Sequence, residues 1–121
     1  MAARSSIYVE GFSHKNPIPA ACRIGNLLVS GSIQGTDPAS GKYGATLDAQ
    51  CVLMFAHVKR IVEAGGGTLG SVIKMTVWMR DRSLRDAVNR EWLRAFPDPH
   101  SRPARHTMQA PLDGEKLVEC D

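Results

Sequence analysis

Residues 46–79 read TLDAQCVLMFAHVKRIVEAGGGTLGSVIKMTVWM, and this stretch decides the fold. Thr46 suits a helix N-cap, because its hydroxyl can accept from the first free backbone N–H groups, and Asp48 places a carboxylate in the first turn. Leu47, Cys51, Met54, Phe55, Val58, Ile61 and Val62 recur at helical spacing, so a helix with one apolar stripe is predicted over 46–64. Gly65-Gly66-Gly67 stops it, with Gly65 as the residue just past the end. The pattern then switches period. Over 72–79, Ile73, Met75, Val77 and Met79 alternate with Lys74, Thr76 and Trp78, which predicts a strand.

Working outward, residues 7–10, 20–24 and 27–30 read as three strands, the last two joined by a tight turn at Gly25-Asn26 in which glycine supplies the positive φ. Residues 32–35 extend or bulge the third strand, and 36–45 form a loop punctuated by Asp37-Pro38, Ser40-Gly41 and Gly44. On the other side, a second helix is predicted from an N-cap at Ser83 to Phe96, before Pro97, with Leu84, Val88, Trp92, Ala95 and Phe96 as its buried stripe. A loop over 97–103 with three prolines leads to strands at 104–110 and 116–120, expected to form a hairpin around Pro111-Leu112-Asp113-Gly114. The order βββ-α-β-α-ββ is that of an α+β fold. Two right-handed crossovers would put both helices on one face of a mixed sheet. The other sheet face then needs a cover, and another subunit is the economical one.

The 121 residues, 43% hydrophobic and 22% charged, are one domain's worth of ordinary globular chain, expected over 1–121. A chain this small has little wall to enclose a deep private pocket, so a subunit interface is the natural place for a small-molecule site. The net charge of +3 is mild. The arginine-rich segment 80–105 carries Asp81, Asp86, Glu91 and Asp98 among its arginines, which reads as a solvated helix face with ion pairs rather than a nucleic-acid patch. Three cysteines, Cys22, Cys51 and Cys120, argue against a disulfide framework and for a reducing cytoplasm. No apolar leader pattern opens the sequence, and its longest apolar run, CVLMFA at 51–56, is far too short to span a bilayer.

Several motifs carry no chemistry in context. Gly65-Gly66-Gly67-Thr68-Leu69-Gly70 spells a dinucleotide loop, but a helix precedes it and a strand follows, the reverse of what a pyrophosphate site needs. His14, His57, His100 and His106 have no metal-ligand spacing, and His57 lies at the edge of the helix stripe. Cys51 sits on the stripe as a small core residue, and Ser30-Gly31-Ser32 is not a nucleophile elbow. Arg105 is different. An arginine inside a strand wants a carboxylate, which its planar fork can grip with two hydrogen bonds. Glu119, on the opposing strand of the expected hairpin, is the obvious acid nearby. Two readings stand open: a structural Arg105–Glu119 ion pair, or an anion pocket for a visitor's carboxylate.

From Pro17 to Glu119 the chain resembles the RidA/YjgF family of reactive-intermediate deaminases. The resemblance is carried by Gly25-Asn26, Val29-Ser30-Gly31 with Ile33, Asp37-Pro38 with Gly41, Gln50, Ala64-Gly65, Val72-Ile73-Lys74 with Thr76-Val77, Asp81, Asn89, Phe96, Pro103-Ala104-Arg105 and Val118-Glu119. The resemblance implies a chorismate-mutase-like α+β subunit and a homotrimer whose sheets build a central barrel with clefts between neighbours. It implies hydrolysis of 2-imino or enamine acids to 2-keto acids and ammonia, with no metal or cofactor. By position, Arg105 would clamp the substrate carboxylate and Glu119 would orient the attacking water. Backbone groups at Gly31 and Thr107 would line the site, Asn89 would support it, and Ile18 would border it.

The sequence departs from the family at Ile18, where the best-known members carry an aromatic residue, at Thr107, where they carry cysteine, and at Ser32, where they carry glutamine. These differences bear on substrate range. The last strand also reaches only Asp121, less than the family's usual length, which bears on barrel packing. His14-Lys15-Asn16 has no counterpart. The resemblance also admits an aminomuconate-type deaminase, a non-catalytic carboxylate-binding or chaperone-like trimer, and an RNA-binding or RNA-cleaving relative. The weak net charge argues against the last.

Overall fold

The computed structural model describes residues 3–121; residues 1 and 2, on which the expectation about a leader begins, lie outside them. The strands are β1 (Ser5–Ile7), β2 (Ala21–Ile24), β3 (Leu27–Ser30), β4 (Ile33–Gln34), β5 (Lys74–Met79), β6 (Ala104–Gln109) and β7 (Val118–Cys120). The helices are α1 (Leu47–Ala64) and α2 (Asp86–Ala95). β1, β2 and β3 form an antiparallel meander, with β1 centred earlier than the expected 7–10. Gly25 closes the β2–β3 hairpin at φ +56°, a conformation glycine adopts without a Cβ clash.

β4 does not extend β3. It pairs with β7 and opens a second sheet of order β4-β7-β5-β6, so the single mixed sheet expected is split in two. The expected hairpin between the last two strands does not form either. β5 lies between them, parallel to β6 and antiparallel to β7. The physical reason lies in the segment that joins them. β6 returns from the α2 crossover, so it must run parallel to β5. The following loop then wraps around the end of β5, where the Arg80 guanidinium donates to Leu112 O at 2.9 Å and Gly114 O at 2.6 Å. Ala110 N–H bonds Met79 O on one side of β5 and Arg80 N–H bonds Leu117 O on the other.

α1 forms as its pattern requires, with the Thr46 hydroxyl accepting from Ala49 N–H at 3.1 Å. It ends at Ala64 as expected, but the left-handed residue comes one later than expected: Gly65 is still right-handed and Gly66 takes the positive φ, +93°. α2 begins after a short 3-10 turn, Arg82–Leu84, whose first N–H groups are capped by Asp81 accepting from Ser83 N–H. Leu84 is therefore exposed rather than part of the stripe, and Ala87, Val88 and Glu91 are the buried residues of α2.

Both helices cover one face. Met75, Val77 and Met79 of β5 and Val118 and Cys120 of β7 are buried there with Cys51, Met54, Phe55, Val58 and Ile61 of α1. His57 is not an edge residue; it is buried with them, its Nε2 bonded to Thr36 O at 2.6 Å and its ring tilted against Phe12. The opposite face presents Gln34, Thr76, Trp78, Met108 and Glu119, which no helix among the described residues covers. No helix among the described residues is long and apolar enough to cross a membrane.

Candidate active site

Strand alternation decides where Arg105 points. It pairs with Met75 across a parallel ladder, so it shares the helix-covered face, as does Thr107 beside Val77. One turn of α2 brings Asn89 and Trp92 to meet it. Arg105 Nη2 donates to Asn89 Oδ1 at 2.7 Å, and the guanidinium carbon lies 4.8 Å from the Trp92 ring centroid. Trp92 is braced edge-on by Phe96, 4.8 Å between centroids. The remaining terminal nitrogen, Nη1, is buried and donates to no group of the described residues. Burial, and after it the charge of Arg85, push the Arg105 guanidinium below its usual range, yet an arginine stays cationic in proteins. No carboxylate of the described residues lies within salt-bridge range of it. An open hollow of about 470 Å³ lined by Asn89, Trp92, Leu93 and Arg105 adjoins the group.

Glu119 pairs with Trp78 on one side and Gln34 on the other, which places it on the helix-free face. The internal Arg105–Glu119 ion pair is thereby overturned, because the two side chains leave opposite faces of the same sheet. Glu119 Oε2 instead accepts from the Ser32 hydroxyl and from Lys116 Nζ, the latter at 3.2 Å. Gly31, next to Ser32, bonds Ala20 O through its N–H at 3.0 Å, and Ile18 lies two residues before Ala20, 47% exposed. The structure thus groups the expected residues into two clusters: Arg105, Asn89 and Thr107 on one face, and Glu119 on the other with Ser32, the neighbour of Gly31. A larger apolar hollow of about 500 Å³ between β3, the end of α1 and the start of β5 includes neither Arg105 nor Glu119.

The other reactive groups lie elsewhere. Burial pushes the Cys51 thiol up to about 12 and the Cys120 thiol higher still, so neither serves as a thiolate. His14, His100 and His106 are exposed, and His106 points to the helix-free side of the edge strand β6. Among the described residues no group of three His, Cys, Asp or Glu side chains is placed to hold a metal ion. Sequence reasoning missed Trp92 as the plate beneath the guanidinium, and Lys116 and Ser32 as the partners of Glu119. The first was legible as the residue three beyond Asn89 on one helix face. Lys116 needed the loop around β5, and Ser32 needed the pairing of β4 with β7.

Comparison with known proteins agrees with this architecture. Residues 13–120 match the family model described as endoribonuclease L-PSP. Reactive Intermediate Deaminase A, chloroplastic, of Arabidopsis thaliana is 29% identical over 108 residues, 86% of this chain and 57% of that one. The chain thus spans little more than half the length of that relative. The 2-iminobutanoate/2-iminopropanoate deaminase of Escherichia coli is 29% identical over 100 residues, 81% of this chain and 78% of that one. The crystal structure of RidA from an Antarctic Psychrobacter superposes with a TM-score of 0.88 at 26% identity, covering 96% of this chain and 94% of that chain. With matches running nearly end to end over the β-α-β-α-β-β frame that carries Arg105 and Glu119, the chain belongs to the endoribonuclease L-PSP family, the family of RidA and YjgF.

Proposed function

We propose that this protein hydrolyses small 2-imino or enamine acids to 2-keto acids and ammonia, as one domain over 1–121 and without a cofactor. The observation that carries this reading is Arg105: a buried guanidinium nitrogen without a partner, beside an open hollow, on a group already oriented by Asn89 and Trp92. A substrate carboxylate supplies the missing acceptor and the missing negative charge. The imine carbon is already electrophilic, so positioning and one oriented water suffice. An enamine acid first tautomerises to its imine; water then adds to the C=N carbon, both of its protons pass to the nitrogen, and ammonia leaves as the C–N bond breaks and the C=O bond forms. Glu119 is assigned to orient that water, with Gly31, Thr107 and Ile18 lining the site.

Arg105 and Glu119 leave opposite sheet faces, so a site that uses both takes them from two chains. This supports a homotrimer with clefts between neighbours, its barrel built on the helix-free face. Free cysteines fit a cytoplasmic setting. The test is keto-acid and ammonia release from freshly generated 2-iminopropanoate and 2-iminobutanoate. Arg105→Ala is expected to lower kcat/KM by about 100-fold or more, the loss of a charged two-point contact. Equal rates for wild type and variant would refute it.

Arg105 beside its open hollow also supports, as a second reading, a trimer that binds small carboxylates without turnover. Saturable 2-keto acid binding with no hydrolysis of any imine, aminomuconate-type substrates included, would select it. An RNA surface gains no support. Arg90 and Arg94 are paired with Asp48 and Glu91, and Arg23, Arg80 and Arg102 are bonded to backbone carbonyls of their own chain.

A further inference from the structure

We propose that Lys116 and Ser32 are positioning residues that leave Glu119 with a single usable oxygen, Oε1; this rests on the deaminase reading of Glu119. A carboxylate offers about four acceptor sites over its two oxygens. Here both donors go to one of them: the Ser32 hydroxyl and Lys116 Nζ meet on Oε2, and no donor of the described residues reaches Oε1. Both members of the ion pair are largely shielded, each side chain 19% exposed, so water does not loosen the contact as it does at an open surface.

The lysine is itself held from both sides. Its backbone N–H bonds Asp113 O at 3.2 Å, and the next residue, Leu117, donates its N–H to Gln50 Oε1 at 2.8 Å. Gln50 is buried in α1. The ammonium group is therefore referenced to the core through its own backbone rather than hung from a mobile loop. Ser32 reaches the same oxygen from the segment between β3 and β4, so two independent chain segments fix one carboxylate rotamer. Cross-strand neighbours Gln34 and Trp78 flank it along the sheet. The free oxygen is thereby aimed in one direction, which a water-orienting carboxylate needs and a solvated glutamate lacks. Lys116 contacts no substrate in this assignment; it acts through Glu119.

The experiment measures kcat and KM for 2-iminobutanoate hydrolysis in wild type, Lys116→Met, Lys116→Arg, Ser32→Ala, Glu119→Gln and the double variant Lys116→Met/Glu119→Gln. Lys116→Met is expected to lower kcat about tenfold with KM changed less than about twofold, and Lys116→Arg to recover most of the loss. Ser32→Ala should lower kcat about threefold, keeping the test alive if Lys116→Met fails to fold. In the Glu119→Gln background the Lys116→Met loss should vanish, because there is no carboxylate left to aim. Impairment of Glu119→Gln with wild-type kcat in both Lys116→Met and Ser32→Ala would overturn the positioning role alone. So would a Lys116→Met loss of equal size in both backgrounds. A wild-type rate for Glu119→Gln, or no turnover by the wild type, would remove the reading beneath it as well.

Discussion

Among the described residues, Arg105 and His57 are the two side chains whose burial leaves a polar atom without a partner, and they resolve that condition differently. Arg105 stands next to an open hollow, so a ligand can supply what its Nη1 lacks. His57 is enclosed, with Thr36 O on its Nε2 side, the Phe12 ring against it, and Nδ1 facing no donor. Burial is the main cause that lowers its pKa, opposed by the Thr36 carbonyl and helped by the charge of Arg60. The unfolded chain takes up this proton near pH 6.5, whereas the folded chain resists it until lower pH. Its share of stability is therefore complete above that value, falls as pH drops through it, and goes on falling until the folded group titrates. His57→Gln is expected to flatten the dependence of melting temperature on pH between about 7 and 5. Parallel curves for the two proteins would show that another group sets the acid limb. In the sequence His57 looked like an edge residue. Its helical angle was readable, but the Phe12 segment that folds over it was not.

At the scale of elements, periodicity decided most of what was legible. α1, β2, β3, β5 and β6 follow local pattern and turn chemistry, so 46–64, 20–24, 27–30, 72–79 and 104–110 were readable to within about two residues. What local pattern could not carry was pairing. β6 and β7 read as a hairpin because a Pro-Leu-Asp-Gly turn lies between them, yet that segment is a bridge around the end of β5. The same error placed Glu119 opposite Arg105. Gln50 is the side chain that ties the bridge to the helix: Nε2 donates to Gly44 O at 3.0 Å and Glu115 O at 2.9 Å, and Oε1 accepts from Leu117 N–H. Gln50→Leu keeps a similar volume but strands three backbone groups, and is expected to lower stability by roughly 3 kcal/mol. A urea midpoint equal to that of wild type would mean that those groups find water instead.

For the whole molecule, the question is how two faces of one sheet can serve one reaction. If Arg105 of one subunit works with Glu119 of its neighbour, damage to either is confined to the cleft that uses it. Arg105→Ala and Glu119→Gln proteins, each strongly impaired alone, should regain about a quarter of wild-type activity when refolded together in equal amounts, since random closed rings pair the intact groups that often. Mixed rings with no recovery would place both groups in one subunit's own site, or would leave a binding protein without turnover. The helix-free face was anticipated from the count of two helices against one sheet. Which functional group it carries required the strand order.

The loop around the end of β5 has one more effect. It threads Glu119 into an interior strand of its sheet while Arg105 stays on the edge strand. Change at the rim can then proceed with little strain on the interior, so that altering only the outermost ribbon and the helix above it would reshape the surroundings of Arg105 and leave those of Glu119 in place.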